Sequence, residues 1–515
     1  MIFSPLSNPS MKYPINNSRI AAKLIFLISI FFLTNLLYSQ EEFLQLDVEE
    51  IESLQGQIDM INDVLPVDHL RSRIKMIPEK GNLRWHQKIW LKQNSLEGGV
   101  RIDRNYNDDA WSLSRFAMTY QIKNVHFTAG HLNINVGQGL VFGRSYGRFK
   151  SVNNLKSFSV NDSRYSYHMG SSIGKDILGA SLAFEKNRWT YKGHIAKFDS
   201  HNTSSFGIIF NQNNNQIGLL AAGIHRSESS SKYGSLTFDF NRWPFLVTGE
   251  ISMHKNKKAV VLNIIRWDTP LSWTLHYRNI PFNWTTISGR PVSILHPGTN
   301  EKAIAMSIKY KLEDFTITSW LELFSEQINE DGYLPNSGSD WLLKCDKQSI
   351  SMGLYSIQYR IKNKNTVQSW QMNALEFSSF SPETKQYLTI QWLSPRKNIK
   401  TKWQNVKVRP EKNNGESGQL LSVSYSGFSI LEISSVFGAN AWNTDSWQSR
   451  MYNYSPGLKG EFFIPAYYGL GSELFSKWSY EISDQIDVSF RHSIKWKSDQ
   501  NALDHSFAIQ VESIY

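Results

Sequence analysis

The chain holds 515 residues, 41% hydrophobic, 13% aromatic and 19% charged, with a formal net charge of +10 and a negative mean hydropathy. That hydropathy excludes a polytopic helical membrane protein, which needs several apolar runs of about 20 residues, and a single Cys excludes a disulfide scaffold or a Cys-based metal centre. Aromatics above and charges below the average of soluble chains point to a protein of the membrane interface without membrane helices.

Residues 1–40 contain no acid, and Lys12, Arg19 and Lys23 precede an apolar run from Leu24 to Leu37. A basic head, a short apolar stretch and a polar end (Tyr38-Ser39-Gln40) predict a secretory signal peptide cleaved near Ser39 or Gln40, whether translation starts at Met1 or Met11. The lone Cys345 of an exported chain is then a free thiol, with no role assigned to it.

Residues 41–65 carry eight acids and no Lys or Arg. Setting these and the three bases of the leader aside from the formal +10 leaves +15 on residues 66–515. Ile51, Leu54, Ile58, Ile61 and Leu65 recur at helical spacing up to Pro66, so a short acidic amphipathic helix is expected within a periplasmic segment 41–79. It would be a solvated lead-in, or a surface for a periplasmic partner of residues 41–65.

From about Leu83 the period changes to two. Phe116, Met118, Tyr120 and Ile122 alternate with polar neighbours up to Lys123-Asn124, and Val125 and Phe127 resume. Trp189–Ile195, Leu236–Phe240 before Asn241-Arg242, Leu271–Tyr277, Ile304–Tyr310 before Glu313-Asp314, and Leu474–Ile482 before Ser483-Asp484 repeat the pattern. Short turns fall at one end. The other end carries longer polar connections at 144–175, 225–233, 279–301, 325–340, 405–419 and 438–456.

This arrangement predicts an all-β fold: a transmembrane antiparallel β-barrel over residues 80–515, of about 20 strands within a range of 16–24, in the outer membrane with both termini periplasmic. Closure supplies every backbone group with a partner in hydrocarbon. A propeller would repeat a motif at a period of about 40–50 residues, which is not seen. Trp85, Trp111, Trp189, Trp243, Trp267, Trp341, Trp392, Trp478 and Trp496 are expected to form the interfacial girdles. Phe507, Ile509, Val511 and the terminal Tyr515 resemble the aromatic-ended strand by which barrel-assembly machinery recognises its clients, with Tyr in place of the commoner Phe.

No catalytic, cofactor or metal site is expected. Gly170-Ser171-Ser172-Ile173-Gly174 matches the hydrolase G-x-S-x-G string but lacks the helix that would present the serine. His492-Ser493 and His505-Ser506 are adjacent pairs whose members point to opposite faces of a strand, which does not suit a barrel lipase. The 13 His show no metal-binding spacing.

The alternation instead directs Arg115, Arg188, Lys192, Arg278, Lys309, Arg360, Lys477 and Arg491 into the lumen, since lipid-facing charge near midplane costs about 2–4 kcal/mol. A basic lumen favours anions. The alternative is pairing with Glu250, Asp239, Glu481 or the acidic segment 41–63. Basic outer loops would meet lipopolysaccharide phosphates.

Two stretches carry a resemblance: Val136-Gly137-Gln138-Gly139-Leu140-Val141-Phe142-Gly143, and Tyr454-Ser455-Pro456-Gly457-Leu458 with Pro465-Ala466-Tyr467-Tyr468-Gly469-Leu470-Gly471-Ser472. They resemble the helix-hairpin-helix-domain-containing family of Gram-negative outer-membrane barrels, which implies a barrel and its location rather than a mechanism. The family's helical hairpins touch nucleic-acid phosphates, and the resemblance would imply a part in nucleic-acid uptake. Residues 41–79 depart from that pattern, with one glycine in the helical part (Gly56) and an acidic character that repels phosphate. The functions expected are therefore a channel or transporter for a polar, preferentially anionic solute, or a non-conducting scaffold binding a secretion, adhesion or envelope-assembly partner.

Overall fold

The computed structural model describes residues 69–515 except 80–81, 105–109, 144–164, 170–176, 199–200, 226–229, 290, 292–298, 328–334, 373–374, 411–414, 431, 460–462 and 500–502. The signal peptide, the acidic segment 41–68 and Ser172 lie outside the described residues.

The strands begin with β1 (His69–Glu79), β2 (Asn82–Gln93), β3 (Leu96–Arg104), β4 (Ser112–Ile122), β5 (Val125–Ile134) and the short β6 (Tyr165–Tyr167). Next come β7 (Ile177–Lys186), β8 (Trp189–Phe198), β9 (His201–Gln212), β10 (Asn215–His225), β11 (Ser230–Arg242), β12 (Phe245–His254) and β13 (Lys257–Arg266). They continue as β14 (Leu271–Ile280), β15 (Glu301–Leu312), β16 (Phe315–Ser325), β17 (Ser337–Ser349), β18 (Gly353–Met372), β19 (Leu375–Leu393) and β20 (Ile399–Pro410). The last are β21 (Glu416–Ile430), β22 (Ile433–Thr444), the small β23 (Met451–Tyr452) and β24 (Ala466–Tyr467), then β25 (Leu470–Ser483), β26 (Ile486–Lys497) and β27 (Leu503–Ile514).

Each barrel strand pairs antiparallel with its neighbours, and β27 returns to β1 in register from Arg71↔Ile514 to Met76↔Ile509. The closed circuit has 24 strands, with β6 beside β5 but outside the circuit. This replaces the expected count of about 20, because some outer connections are as short as the inner ones: Lys255-Asn256 joins β12 to β13. At a strand spacing of about 4.8 Å and a strand tilt of about 35°, a round barrel of this size is roughly 45 Å across, too wide for wall side chains alone to fill.

No helix occurs among the described residues. Residues 69–79, assigned from sequence to the helical segment, are β1, so the barrel starts at His69 rather than at 80. Leu70, Ser72, Ile74 and Met76 alternate with Arg71, Arg73 and Lys75, and this period of two wins once both β2 and β27 offer edges.

His69, Tyr515 and the turns at Asn94-Ser95, Lys123-Asn124, Asn187-Arg188, Asn213-Asn214, Trp243-Pro244, Glu313-Asp314 and Asp484-Gln485 share one rim, which is the periplasmic rim by the rule for such barrels. Asn94, Lys123, Asn187, Asn213 and Asn214 have left-handed φ of 47–64°, as tight hairpins of matching twist require. The turns at Lys123-Asn124 and Glu313-Asp314 are where the sequence predicts them. Asn241-Arg242 instead ends β11, and the turn moves to Trp243-Pro244, where proline costs no ladder hydrogen bond. All six long connections fall at the outer rim.

The two faces differ as hydrocarbon demands. On β4, Phe116, Met118 and Tyr120 are exposed outward while Arg115 and Ala117 are buried inward. On β15, Ile304, Met306 and Ile308 face out and Glu301, Ala303, Ala305 and Ser307 face in. Trp189, Trp243, Trp392 and Trp478 lie toward the periplasmic rim, and Trp85, Trp111, Trp341 and Trp496 toward the outer one. Trp267 departs from the girdle, packing inward on Leu246, Ile265, Trp320 and Leu342. An antiparallel barrel closed on itself and banded with outward apolar side chains is a transmembrane barrel, and its place is the outer membrane.

Candidate functional site: two connections folded into the barrel

The connection after β5 does not rise from the rim. Asn135 to Gly143 turn inward and are buried along their whole length. Gly137 and Gly139 adopt left-handed φ of +55° and +88°, bending the backbone onto the wall. A Cβ on Gly137 would lie 2.5 Å from Thr237 Cγ2 and 2.8 Å from Glu250 Oε2, so only glycine allows this approach.

Glu250, from the middle of β12 and wholly buried, holds the bend. Its Oε2 accepts the backbone N–H groups of Gln138 (2.7 Å) and Leu140 (3.0 Å), and its Oε1 accepts the hydroxyls of Ser235 (2.8 Å) and Ser252 (2.9 Å). Gln138 adds a bond from Nε2 to Thr248 Oγ1 at 3.3 Å.

A second connection locks the first. Ile287 and Ser288, between β14 and β15, donate their N–H groups to Val141 O, and the Trp284 indole N–H donates to Leu140 O at 3.1 Å. Val136, Val141, Phe142 and Ile287 pack on Ala196, Phe198, Leu220, Ala222 and Ile224 of the wall, and Leu140 with Trp284 on Ala259, Val261 and Ile280. Burial of these apolar groups supplies the drive, while the Glu250 bonds set the register.

Roughly half the circuit away, residues 445–459 and 463–469 of another connection also fold in. Met451 and Tyr467 of the β23–β24 ladder pack on Val406, Val408, Leu420 and Trp442. The Tyr467 hydroxyl donates to Glu473 Oε2 at 2.5 Å, and Asn440 Nδ2 donates to Tyr467 Oη (2.8 Å) and Glu473 Oε2 (2.9 Å). Asn453 donates to Ser422 Oγ and Asn440 Oδ1 and accepts Lys402 Nζ at 3.2 Å. Lys459 reaches Glu512 Oε2 at 2.6 Å, and the Arg491 guanidinium lies 4.2 Å over the Phe463 ring.

The bases expected in the lumen divide into groups. Arg115, Lys192, Lys309, Lys477 and Arg491 share the inward face of their strands, and Lys477 stands opposite Arg491. Arg278 and Arg360 also face inward, and their acidic partners are described. Arg278 is buried against Glu301 and Glu322, and Arg360 makes a bidentate bond to Asp340 at 2.8 and 2.6 Å. Arg188 is corrected: it sits exposed in the Asn187-Arg188 turn, because alternation does not mark where a strand stops. Of the carboxylates expected to pair with bases, Glu250 binds backbone N–H groups instead, and Glu481 is exposed near the rim.

The largest basic sector was not among these residues. Arg71, Arg73, Lys75, Arg84, Lys88 and Arg101 line the inner faces of β1–β3 beside Arg115, against Asp103 and Glu512. The alternation Leu70-Arg71-Ser72-Arg73-Ile74-Lys75 carried the signal. His168, in the inner connection after β6, packs by this wall, and burial, followed by the charges of Arg115, Lys88, His131 and Arg101, holds its pKa well below the usual range.

On β27, Phe507, Ile509 and Val511 face out opposite Ala508, Gln510 and Glu512, and Tyr515 exchanges backbone hydrogen bonds with Leu70. His492 lies 3.5 Å from His505 on the outer face while Ser493 meets Ser506 at 2.7 Å on the inner, so neither adjacent pair forms a Ser–His dyad. His194 Nδ1 does meet Ser205 Oγ at 2.6 Å, but inside the lumen and under Phe142, with a threonine hydroxyl rather than a carboxylate near its other nitrogen. Among the described residues no group of three acidic, His or Cys side chains could hold a metal ion.

No family model matches the chain, and no curated protein matches it. Solved structures similar to it include the ferric preacinetobactin receptor BauA of Acinetobacter baumannii, at 8% identity over 88% of this chain and 80% of that one, with a TM-score of 0.43. The FrpB iron transporter of Neisseria meningitidis (F5-1 variant) matches at 8% identity over 88% and 83%, TM-score 0.43. The siderophore receptor PirA of Pseudomonas aeruginosa matches at 9% over 88% and 81%, TM-score 0.43. The transmembrane assignment stands on the closure and the two faces described above.

Proposed function

We propose that this outer-membrane barrel is a channel or transporter for a polar solute, with anions preferred, in which residues 135–143, 451–459 and 463–467 narrow the passage. The observation that carries this is a wide barrel whose inner wall is polar and whose outer connections are bonded part-way down it. The Glu250 contacts, made at mid-strand depth, support one constriction there. The basic sector of β1–β4 supports the anion preference, whereas the pairing of Arg278 and Arg360 limits it to that sector.

Both stretches that resemble the helix-hairpin-helix-domain-containing barrels, Val136–Gly143 and Tyr454–Leu458 with Pro465–Ser472, fall on these connections or, at Leu470–Ser472, on the start of β25, and we infer kinship on that ground. Export by residues 1–40, assembly through the β27 signature, lipopolysaccharide contact at the outer rim and a periplasmic partner for residues 41–65 complete the reading.

A second reading rests on the same packing. Two bonded connections also suit a non-conducting scaffold whose outer loops bind an envelope partner. Reconstitution in planar bilayers separates the two. A channel gives unitary conductance with a reversal potential displaced toward anion selectivity in a salt gradient. Correctly folded protein that stays electrically silent refutes the channel and leaves the scaffold.

A further inference from the structure

The lipid-facing side of β14–β18 carries a depression of about 680 Å³ close to the outer rim. That volume lies within the usual range of small-molecule sites. Strand register sorts its lining into two rows. Nearer the rim, Lys302 stands across from Ser325, and Ser325 from Ser337. One step toward the midplane, Tyr277 stands across from Ile304, and Ile304 from Leu323. Ile304 and Leu323 are 48% and 50% exposed and run on into the outward band of Met306 and Leu321. The floor is low because β17 presents only the small Ser337 and Ser339 on this face, between Leu323 of β16 and Asn363 of β18. Asn363 Nδ2 donates to Ser339 Oγ at 3.2 Å and closes the far side.

Lys302 is the single charged side chain of this lining, it is exposed, and it makes no ion pair with a described residue. A lysine near the interface of a barrel is tolerated at little cost and requires no ligand by itself. The order of the chemistry around it does point to one. A cation and hydroxyls face the rim, and apolar side chains face the midplane. The girdle residue Trp341, across from Leu321 in the next row, sets this boundary at the level of the lipid headgroups. Such a profile matches an amphiphile with an anionic head.

We propose that this depression binds one phosphorylated lipid of the outer leaflet, with its phosphate at Lys302 and the Ser325 and Ser337 hydroxyls and an acyl chain over Ile304 and Leu323. Lysine holds phosphate oxygens as a point charge, and the hydroxyls add donors beside it. The site gives the lipopolysaccharide contact a definite place and rests on that part of the proposed function, but not on conduction.

The test uses the full chain in native mass spectrometry from detergent, titrated with lipid A, with a galactolipid that has acyl chains and sugar but no phosphate, or with inorganic phosphate. Wild type should bind one lipid A, and the galactolipid about tenfold more weakly. Lys302→Ala should weaken lipid A about tenfold and erase that preference. Ser339→Phe fills the depression and should weaken both lipids. Lys258→Ala should change nothing, because Lys258 is exposed on the same face of β13 near the same rim but outside the depression. Far-UV circular dichroism confirms the folded barrel in each variant. Equal affinity for the two lipids, unchanged lipid A binding in Lys302→Ala, or displacement of lipid A by inorganic phosphate overturns the site. A dimer that Ser339→Phe disperses also overturns it and gives the face to a second copy of the chain. Conduction without the lipid preference refutes the site alone, and the preference in an electrically silent barrel refutes the channel alone.

Discussion

Replacing Glu250 by Ala should loosen the inner connection 135–143 without unfolding the barrel. Four donors converge on that carboxyl group, but they are not equally dependent on it. The Ser252 hydroxyl already lies 3.0 Å from Ser235 Oγ, so the two serines can pair with each other. The N–H groups of Gln138 and Leu140 have no such recourse, and each buried donor left unmet costs about 1–3 kcal/mol. Two such donors give about 2–6 kcal/mol, and the lower part of that range, about 2–4 kcal/mol of docking energy, is expected, because Val141 and Phe142 stay in the apolar cluster and Trp284 still holds Leu140 O. Hydrogen exchange followed by mass spectrometry over 135–143 should show exchange faster by roughly 30- to 1,000-fold in Glu250→Ala. Glu250→Gln retains an acceptor for both N–H groups, and the serine hydroxyls can turn to accept its amide, so its effect should stay within about tenfold. Unchanged protection in the Ala variant, or an equal effect of Gln and Ala, would refute the pinning role. Under the channel reading the Ala variant also conducts more.

Two further outcomes follow from charges inside the barrel. Arg278→Met deprives the buried carboxylates Glu301 and Glu322 of their shared guanidinium and should destabilise the barrel by about 3–5 kcal/mol, read from the urea midpoint in detergent. Adding Glu301→Gln and Glu322→Gln should recover most of that loss. His168 stays neutral in the folded chain because its pKa is depressed, whereas an undocked His168 takes up a proton as pH falls below about 6.5. Docking of residues 165–169 should therefore hold above that pH and weaken below it, by up to about 1.4 kcal/mol per pH unit. Hydrogen exchange of that segment at pH 7 and pH 5 should show the change, and His168→Asn should abolish it.

The hairpin 116–129 shows what a sequence carries by itself. Each side chain faces lipid or lumen according to its parity, so Phe116 and Arg115 are sorted before any partner strand is known. The same logic assigned the eight bases to the lumenal face, because lipid-facing charge near midplane costs about 2–4 kcal/mol. It failed at Arg188, where strand and turn are divided by pairing with β7 rather than by the residue's own chemistry. It failed also at residues 69–79, whose strand exists because β27 closes on it from the far end of the chain.

Sequence alone thus determined the format of this protein: a closed antiparallel barrel, its lipid face and its long-loop rim. These features are set by local periodicity, and the bilayer enforces them strand by strand. Only the tertiary structure decided what occupies the lumen. Val136–Gly143 was visible as a motif, but its inward turn depends on Glu250, 112 residues away from Gln138. The charge state of the wall likewise depends on which acid meets which base across strands, as Glu301 and Glu322 meet Arg278. Alternation fixes the face a side chain takes, whereas closure of the barrel fixes its neighbours.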